Sequence, residues 1–295
     1  VPLLVLIAIA LTAGGLTFAA ALRYPHGSAG ATSAPIVDAV AETSRRHATL
    51  RRWIRARRDP RAATGLALSL AFLVTVAGGL VIGLFAILVR SNDTLLRVDT
   101  AASEWGFENA TGFTDAAIEA ITQLGDTWVV AVAGLVLVGF EWWRRPNRFV
   151  LPYLLVVVVG DKLVTTGVKE LADRARPTLN PIAETLGPSF PSGHSSTAAA
   201  FFAGAALVLG RGYGPRGRAA FAAAAVAIAV GVACSRVLLG VHWLSDVVAG
   251  LALGWGWFAL CTIAFGGRLL TFGVTATRIR GASRSKNMNV PRAEV

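Results

Sequence analysis

Residues 219–239 read AAFAAAAVAIAVGVACSRVLL, an apolar run broken only by Ser235 and Arg236 near its end. About 20 apolar residues in helical form cross a hydrocarbon core. The stretch therefore reads as a membrane span whose last turn carries an arginine. Working outward, the same length rule picks out residues 1–22, 65–89, 127–143, 149–171, 192–210 and 243–265 as further spans. Their glycine and alanine content suits helices packed closely in lipid, where small residues let backbones approach. The expected fold is all-α, a polytopic membrane helix bundle. Residues 1–22 lack the basic leader of a secretory signal and are longer than a typical signal core, so they are expected to be a first span.

Composition agrees with this reading. Of 295 residues, 54% are hydrophobic and 15% charged, and the mean hydropathy is +0.59. Lys and Arg outnumber Asp and Glu by 28 to 17, a net +11. In a soluble chain that excess would point to a nucleic acid, but soluble domains carry about a quarter charged residues. No nucleic-acid partner is expected; membrane lipids are. Cys234 and Cys261 both lie inside apolar runs, which leaves no disulfide framework and no thiolate metal site.

The basic residues cluster. Residues 23–64 carry nine Arg, 144–148 three, 211–218 three, and the tail from Arg268 six Lys or Arg, whereas 90–126 holds two Arg and seven acids. Lys and Arg stay on the cytoplasmic side of a membrane. The rule places 21 of the 28 basic residues inside, with the N-terminus outside and the C-terminus in the cytoplasm. In the first basic linker, Ile36, Val40, His47, Leu50 and Ile54 recur at helical spacing among arginines. That fits either a helix lying on anionic lipid or a solvated linker. Residues 98–125 are expected to hold a surface helix capping the outer face. Trp105, Trp128, Trp142, Trp143 and Trp243 stand near span ends, as interfacial anchors or as packing residues.

Three polar clusters fall at the outer ends of spans: Lys169 with Arg174, Arg176 and Pro177; Pro191-Ser192-Gly193-His194; and Ser235-Arg236 with His242 and Asp246. Each has a physical job if the ligand is a phosphate. Lys169, Arg176 and Arg236 supply cations, the arginines with forked donors matched to phosphate oxygens. Ser192 and Gly193 open a helix, where free amides and the dipole attract an anion and a glycine lets it approach. His242 and Asp246 are four apart and would share a helix face, so the carboxylate can hold one ring nitrogen and leave the other free to attack. His194 remains as proton donor for a leaving oxygen.

Together the clusters read K-x6-R-P, P-S-G-H and S-R-x5-H-x3-D. In that form they resemble the signature of the type 2 phosphatidic acid phosphatase superfamily, which includes membrane lipid phosphatases and vanadium-dependent haloperoxidases. Residues 173–177 (DRARP) and 242–250 (HWLSDVVAG) extend the likeness. The resemblance implies a six-span phosphatase domain at 65–267, preceded by an extra span with a basic linker (1–64) and followed by a basic tail (268–295). It implies His242 as a nucleophile forming a phosphohistidine, Asp246 as its orienting partner, and His194 as acid and then base. Lys169, Arg176, Ser192, Gly193 and Arg236 would hold the phosphoryl oxygens. No metal and no cofactor are implied. The expected substrate is a lipid phosphate or diphosphate, such as phosphatidic acid, phosphatidylglycerol phosphate or polyprenyl diphosphate, cleaved at the outer face. Two alternatives stay open: a vanadate-dependent haloperoxidase, against which the spans argue, and a non-catalytic lipid transporter or scaffold.

Asp161 and Lys162 lie deep in a span, where ionisable groups are costly. Either they form an ion pair, mutual or between helices, or they make a polar floor beneath the site.

Overall fold

The computed structural model describes residues 2–23, 63–91, 93–109, 112–179 and 187–270. Among these residues every regular element is a helix: α1 (Pro2–Arg23), α2 (Ala63–Ser91), α3 (Asp93–Glu108), α4 (Gly112–Gln123), α5 (Thr127–Arg144), α6 (Val150–Ala172), α7 (Gly193–Gly210), α8 (Pro215–Leu238) and α9 (Leu244–Leu270). Five are long and apolar enough to cross a membrane: α1, α5, α6, α8 and the 244–265 part of α9. The protein is an all-α polytopic membrane bundle. Of the seven apolar runs expected from the sequence, 65–89 falls on α2, whose described apolar part is Leu73–Leu88, and 192–210 falls on α7. That helix opens with His194, Ser195, Ser196 and Thr197 and is enclosed by α5, α6, α8 and α9, so protein rather than lipid surrounds it. Residues 195–201 are buried without a break.

Small residues set the helix spacing. On α9, a Cβ on Gly250 would stand 2.5 Å from the Ser192 carbonyl oxygen, and one on Gly254 would stand 2.2 Å from that of Ser196. The two glycines, four apart, let α9 lie directly on the backbone of α7. This contact brings the start of α7 beside the start of α9. Gly254→Ala should therefore force the helices apart at a cost of about 1–3 kcal/mol or more. Gly139→Ala, where an added Cβ meets nothing within 4 Å, should not lower stability. Thermal unfolding of the two purified variants in detergent checks both expectations.

α1 lays one stripe, Pro2, Leu6, Ala10 and Gly14, against α8. Leu6 packs with Ile118 and Leu238, and Gly14 lies under the Ala223 carbonyl, so α1 runs antiparallel to α8. α2 packs on α9, where Gly78 approaches Ala252 and the Thr75 hydroxyl donates to the Gly256 carbonyl at 3.1 Å. At one end of the bundle the turns after α5 and α7 meet. Arg145 donates to the Gly212 carbonyl, Arg144 to the Tyr213 hydroxyl, and Arg211 pairs with the buried Glu141. The opposite end carries the close of α6, the start of α7, the close of α8 and the start of α9, which together hold all three motifs.

The acidic stretch forms two helices, α3 and α4, at the motif end. Trp128, Trp142 and Trp143 face outward, as interfacial anchors do. Trp243 is half-buried and held by neighbours instead: its indole N–H donates to the Ala175 carbonyl at 2.9 Å and the Arg174 guanidinium lies over its ring. The basic linker and its surface helix, and the tail beyond 270, lie outside the described residues.

Candidate active site

α8 ends at a sharp turn in which Gly240 takes φ 63°, a left-handed conformation that favours glycine. His242 stands in this turn, before α9 begins, and not on a helix as its spacing from Asp246 would allow. The pairing survives through a different device. Asp246, in the first turn of α9, accepts from the Trp243 amide at 3.0 Å, as the third residue of a capping box does. The same Asp246 oxygen, Oδ2, stands 3.4 Å from His242 Nδ1. A carboxylate only accepts, so the ring proton belongs on Nδ1 and the Nε2 lone pair is left available. Arg176 Nη1 donates towards that Nε2 at 3.1 Å. His242 is 2% exposed. Burial pulls its imidazole down to about 3, which keeps the ring neutral and nucleophilic at ordinary pH.

Arg174 braces this corner, and the motif reading assigned it no task. Its Nη1 donates to Asp246 Oδ1 at 2.6 Å and to the Ser245 hydroxyl at 2.8 Å, and its Nη2 donates to Asp99 Oδ2 at 2.8 Å. Asp99, on α3, also accepts from the Ser245 amide and hydroxyl. One guanidinium thus joins two fully buried carboxylates and ties α3 to the start of α9. Ser103, one turn along α3 from Asp99, donates to the His242 carbonyl at 3.5 Å.

The expected phosphate ligands gather beside His242. Lys169 Nζ donates to the Pro188 carbonyl at 2.5 Å, and Arg176 donates to the carbonyls of Gly187, Pro188 and Val241. Ser192 caps α7: its hydroxyl accepts from the Ser195 hydroxyl at 2.9 Å, and its amide donates to the Asp246 carbonyl at 3.0 Å. Gly193 leaves open backbone next to Lys169, whose Cε would be 4.0 Å from an added Cβ. Arg236 is 8% exposed; its Nη1 donates to the Thr122 hydroxyl at 3.1 Å, while its buried Nε has no protein partner. That orphaned donor fits a site built to receive an anion. His194 completes the group, with Nε2 at 2.8 Å from Asp126 Oδ1. Asp126 and Asp99 both come from the acidic stretch, whose only sequence signal is a run of acids before an apolar helix.

Beneath these residues lies a polar stripe. Asp161 accepts from the hydroxyls of Ser196 at 2.5 Å and Thr197 at 3.1 Å, and Thr165 reaches the Ser196 hydroxyl at 3.4 Å. The ion-pair reading of Asp161 and Lys162 is corrected: Asp161 is fully buried and held by hydroxyls, while Lys162 lies on the exposed side of α6. Asp161, Thr165 and Lys169 recur every four residues and face the first turns of α7. Asp161→Ala should orphan two buried hydroxyls, costing about 1–3 kcal/mol, and lower turnover at the site. Normal melting and turnover together would exclude the floor. Among the described residues, no three His, Cys, Asp or Glu side chains are gathered to hold a metal ion.

Comparison with known proteins places the chain in a family. A model described as the PAP2 superfamily matches residues 149–269. The chain is 41% identical over 167 residues to a lipid A 1-phosphatase of Rhizobium etli, covering 49% of this chain and 68% of that one. It is 34% identical over 137 residues to phosphatidylglycerophosphatase B of Bacillus subtilis, covering 45% of this chain and 66% of that one. The crystal structure of a transmembrane PAP2-type phosphatidylglycerolphosphate phosphatase from Bacillus subtilis superposes with a TM-score of 0.62 at 27% identity, covering 67% of this chain and 98% of that one. The chain spans about two thirds of the two curated relatives. With motif, relatives and helix arrangement in agreement, the chain belongs to the PAP2 superfamily, in its branch of membrane lipid phosphatases.

Proposed function

We propose that this protein hydrolyses phosphoryl groups from lipids at the outer face of the membrane through a phosphohistidine on His242. The observation that carries the reading is the pairing at His242, whose Nδ1 meets Asp246 while Arg176 points at Nε2. In the first step Nε2 attacks phosphorus, the ester bond breaks, and His194 protonates the departing oxygen. In the second, water attacks phosphorus, the N–P bond breaks with its electron pair returning to Nε2, and His194 takes the water proton. Lys169, Arg176, Arg236 and the Gly193 amide offset the charge on the equatorial oxygens, while the expected Ser192 amide is taken up by the Asp246 carbonyl. Asp246 offsets the charge that develops on the His242 ring. Because these cations do the neutralising, chelation by EDTA should leave the rate unchanged.

Charge placement supports the orientation. Arg144, Arg145, Arg148, Arg211, Arg216 and Arg218 sit at the bundle end opposite the motifs, and α1 ends at that side in Arg23. By the positive-inside rule that end is cytoplasmic, so the site opens outward, with the N-terminus outside and the C-terminus inside. We read α2 and α5–α9 as a six-span phosphatase unit (65–267), with α1 as an added span docked on α8. A site at the bilayer's outer interface suits a lipid headgroup entering sideways. The relatives' names, lipid A 1-phosphatase and phosphatidylglycerophosphatase, favour a phosphomonoester on a lipid over a polyprenyl diphosphate. Phosphate release by the detergent-purified protein across a panel of these lipids, with His194→Ala as control, tests the reading. Wild-type inactivity on every member would overturn it.

A further inference from the structure

Asp126 stands just before α5 with φ −69° and ψ 138°, the backbone of a helix N-cap. An aspartate there ordinarily accepts from amides of the first helical turn. This one makes no cap hydrogen bond, and its Oδ1 is committed to His194 Nε2 at 2.8 Å. The same turn is pressed onto the histidine: a Cβ on Gly125 would stand 3.0 Å from both Cβ and the carbonyl oxygen of His194. Thr122, at the foot of this turn, holds Arg236. A short segment outside the three motifs therefore contacts two of their residues.

We propose that Asp126 is a positioning residue for His194: its carboxylate holds the proton on Nε2 and leaves Nδ1 as the nitrogen that exchanges protons with leaving group and water. The proposal rests on the acid–base role given to His194 above. A carboxylate has no proton to donate, so the shared hydrogen is on the ring. When water attacks the phosphohistidine, the N–P electron pair returns to His242 Nε2 and the water proton passes to His194 Nδ1. The resulting imidazolium then faces a carboxylate, in the manner of the aspartate of a hydrolase triad.

Asp126→Asn tests this, because an amide can donate to Nε2 and so favour the opposite tautomer, with Nδ1 already protonated. The probe is p-nitrophenyl phosphate, whose leaving group needs no proton, compared with a short-chain phosphatidic acid, whose alkoxide does. In the full-length protein, D126N should keep the first-turnover burst on the aryl phosphate. Its steady-state rate should fall about 100-fold, and phosphohistidine should accumulate. On phosphatidic acid the first turnover should fall by a similar factor. D126E should recover most of the loss. Burst and steady state falling together without accumulation is what a merely structural role produces and overturns the proposal, as does a D126N protein with normal rates on both substrates. Absence of phosphohistidine in the wild type overturns the parent reading of the site instead.

Discussion

His242→Ala should lower lipid phosphate hydrolysis by about 10,000-fold or more, because the nucleophile is lost and no neighbouring group replaces it. The side chain is buried, and its two nitrogens have different partners. Asp246→Asn should be nearly as damaging while preserving shape. The amide can still accept from the Trp243 amide, but it no longer offsets a charged ring and can present a donor to Nδ1. That would select the tautomer in which Nε2 carries the proton and cannot attack. Steady-state release of phosphate from both variants measures the effect. An Asp246→Asn enzyme within about tenfold of wild type would show that the 3.4 Å contact does not set the tautomer.

Arg174→Ala should cost about 3–5 kcal/mol of stability, the range for breaking a buried ion pair from one side. Arg174 separates Asp99 and Asp246, both fully buried, and its removal leaves two carboxylates with no cation between them. The loss reaches catalysis as well, since Asp246 also orients His242. Adding Asp99→Asn to Arg174→Ala removes one of the two charges and should restore a large part of the stability. Thermal unfolding in detergent, set beside turnover, checks both expectations. An Arg174→Ala protein that melts with wild type would mean that the corner is held by packing alone.

The signature residues were legible because their chemistry is local: a cation at the close of α6, a capped glycine turn opening α7, and a His and Asp four apart. What escaped depends on long-range packing. Arg174 stood in plain view within residues 173–177, but its partners lie 72 and 75 positions away. Asp99 and Asp126 belong to a stretch whose acids serve equally well as solvated charges or helix caps. Only in the fold is Asp126 told from a cap: it makes no cap hydrogen bond, its Oδ1 stands 2.8 Å from His194 Nε2, and Gly125 presses onto the same histidine. Asp161 shows the reverse error. Charge adjacency in the sequence favoured a pair with Lys162, but neighbours on a helix point about 100° apart, and Asp161 turned to the hydroxyls of α7. The apolar runs match the helices within a few residues, yet α7 is polar at its start, where protein surrounds it.

A covalent phosphoryl group on His242 should be caught by rapid acid-free quenching of the purified protein with phosphoryl-labelled phosphatidic acid, followed by peptide mapping. The expected result is an alkali-stable, acid-labile label on the peptide containing His242, present in the wild type and absent from His242→Ala. Release of labelled phosphate with no label on the protein, or a label on a different residue, would contradict it.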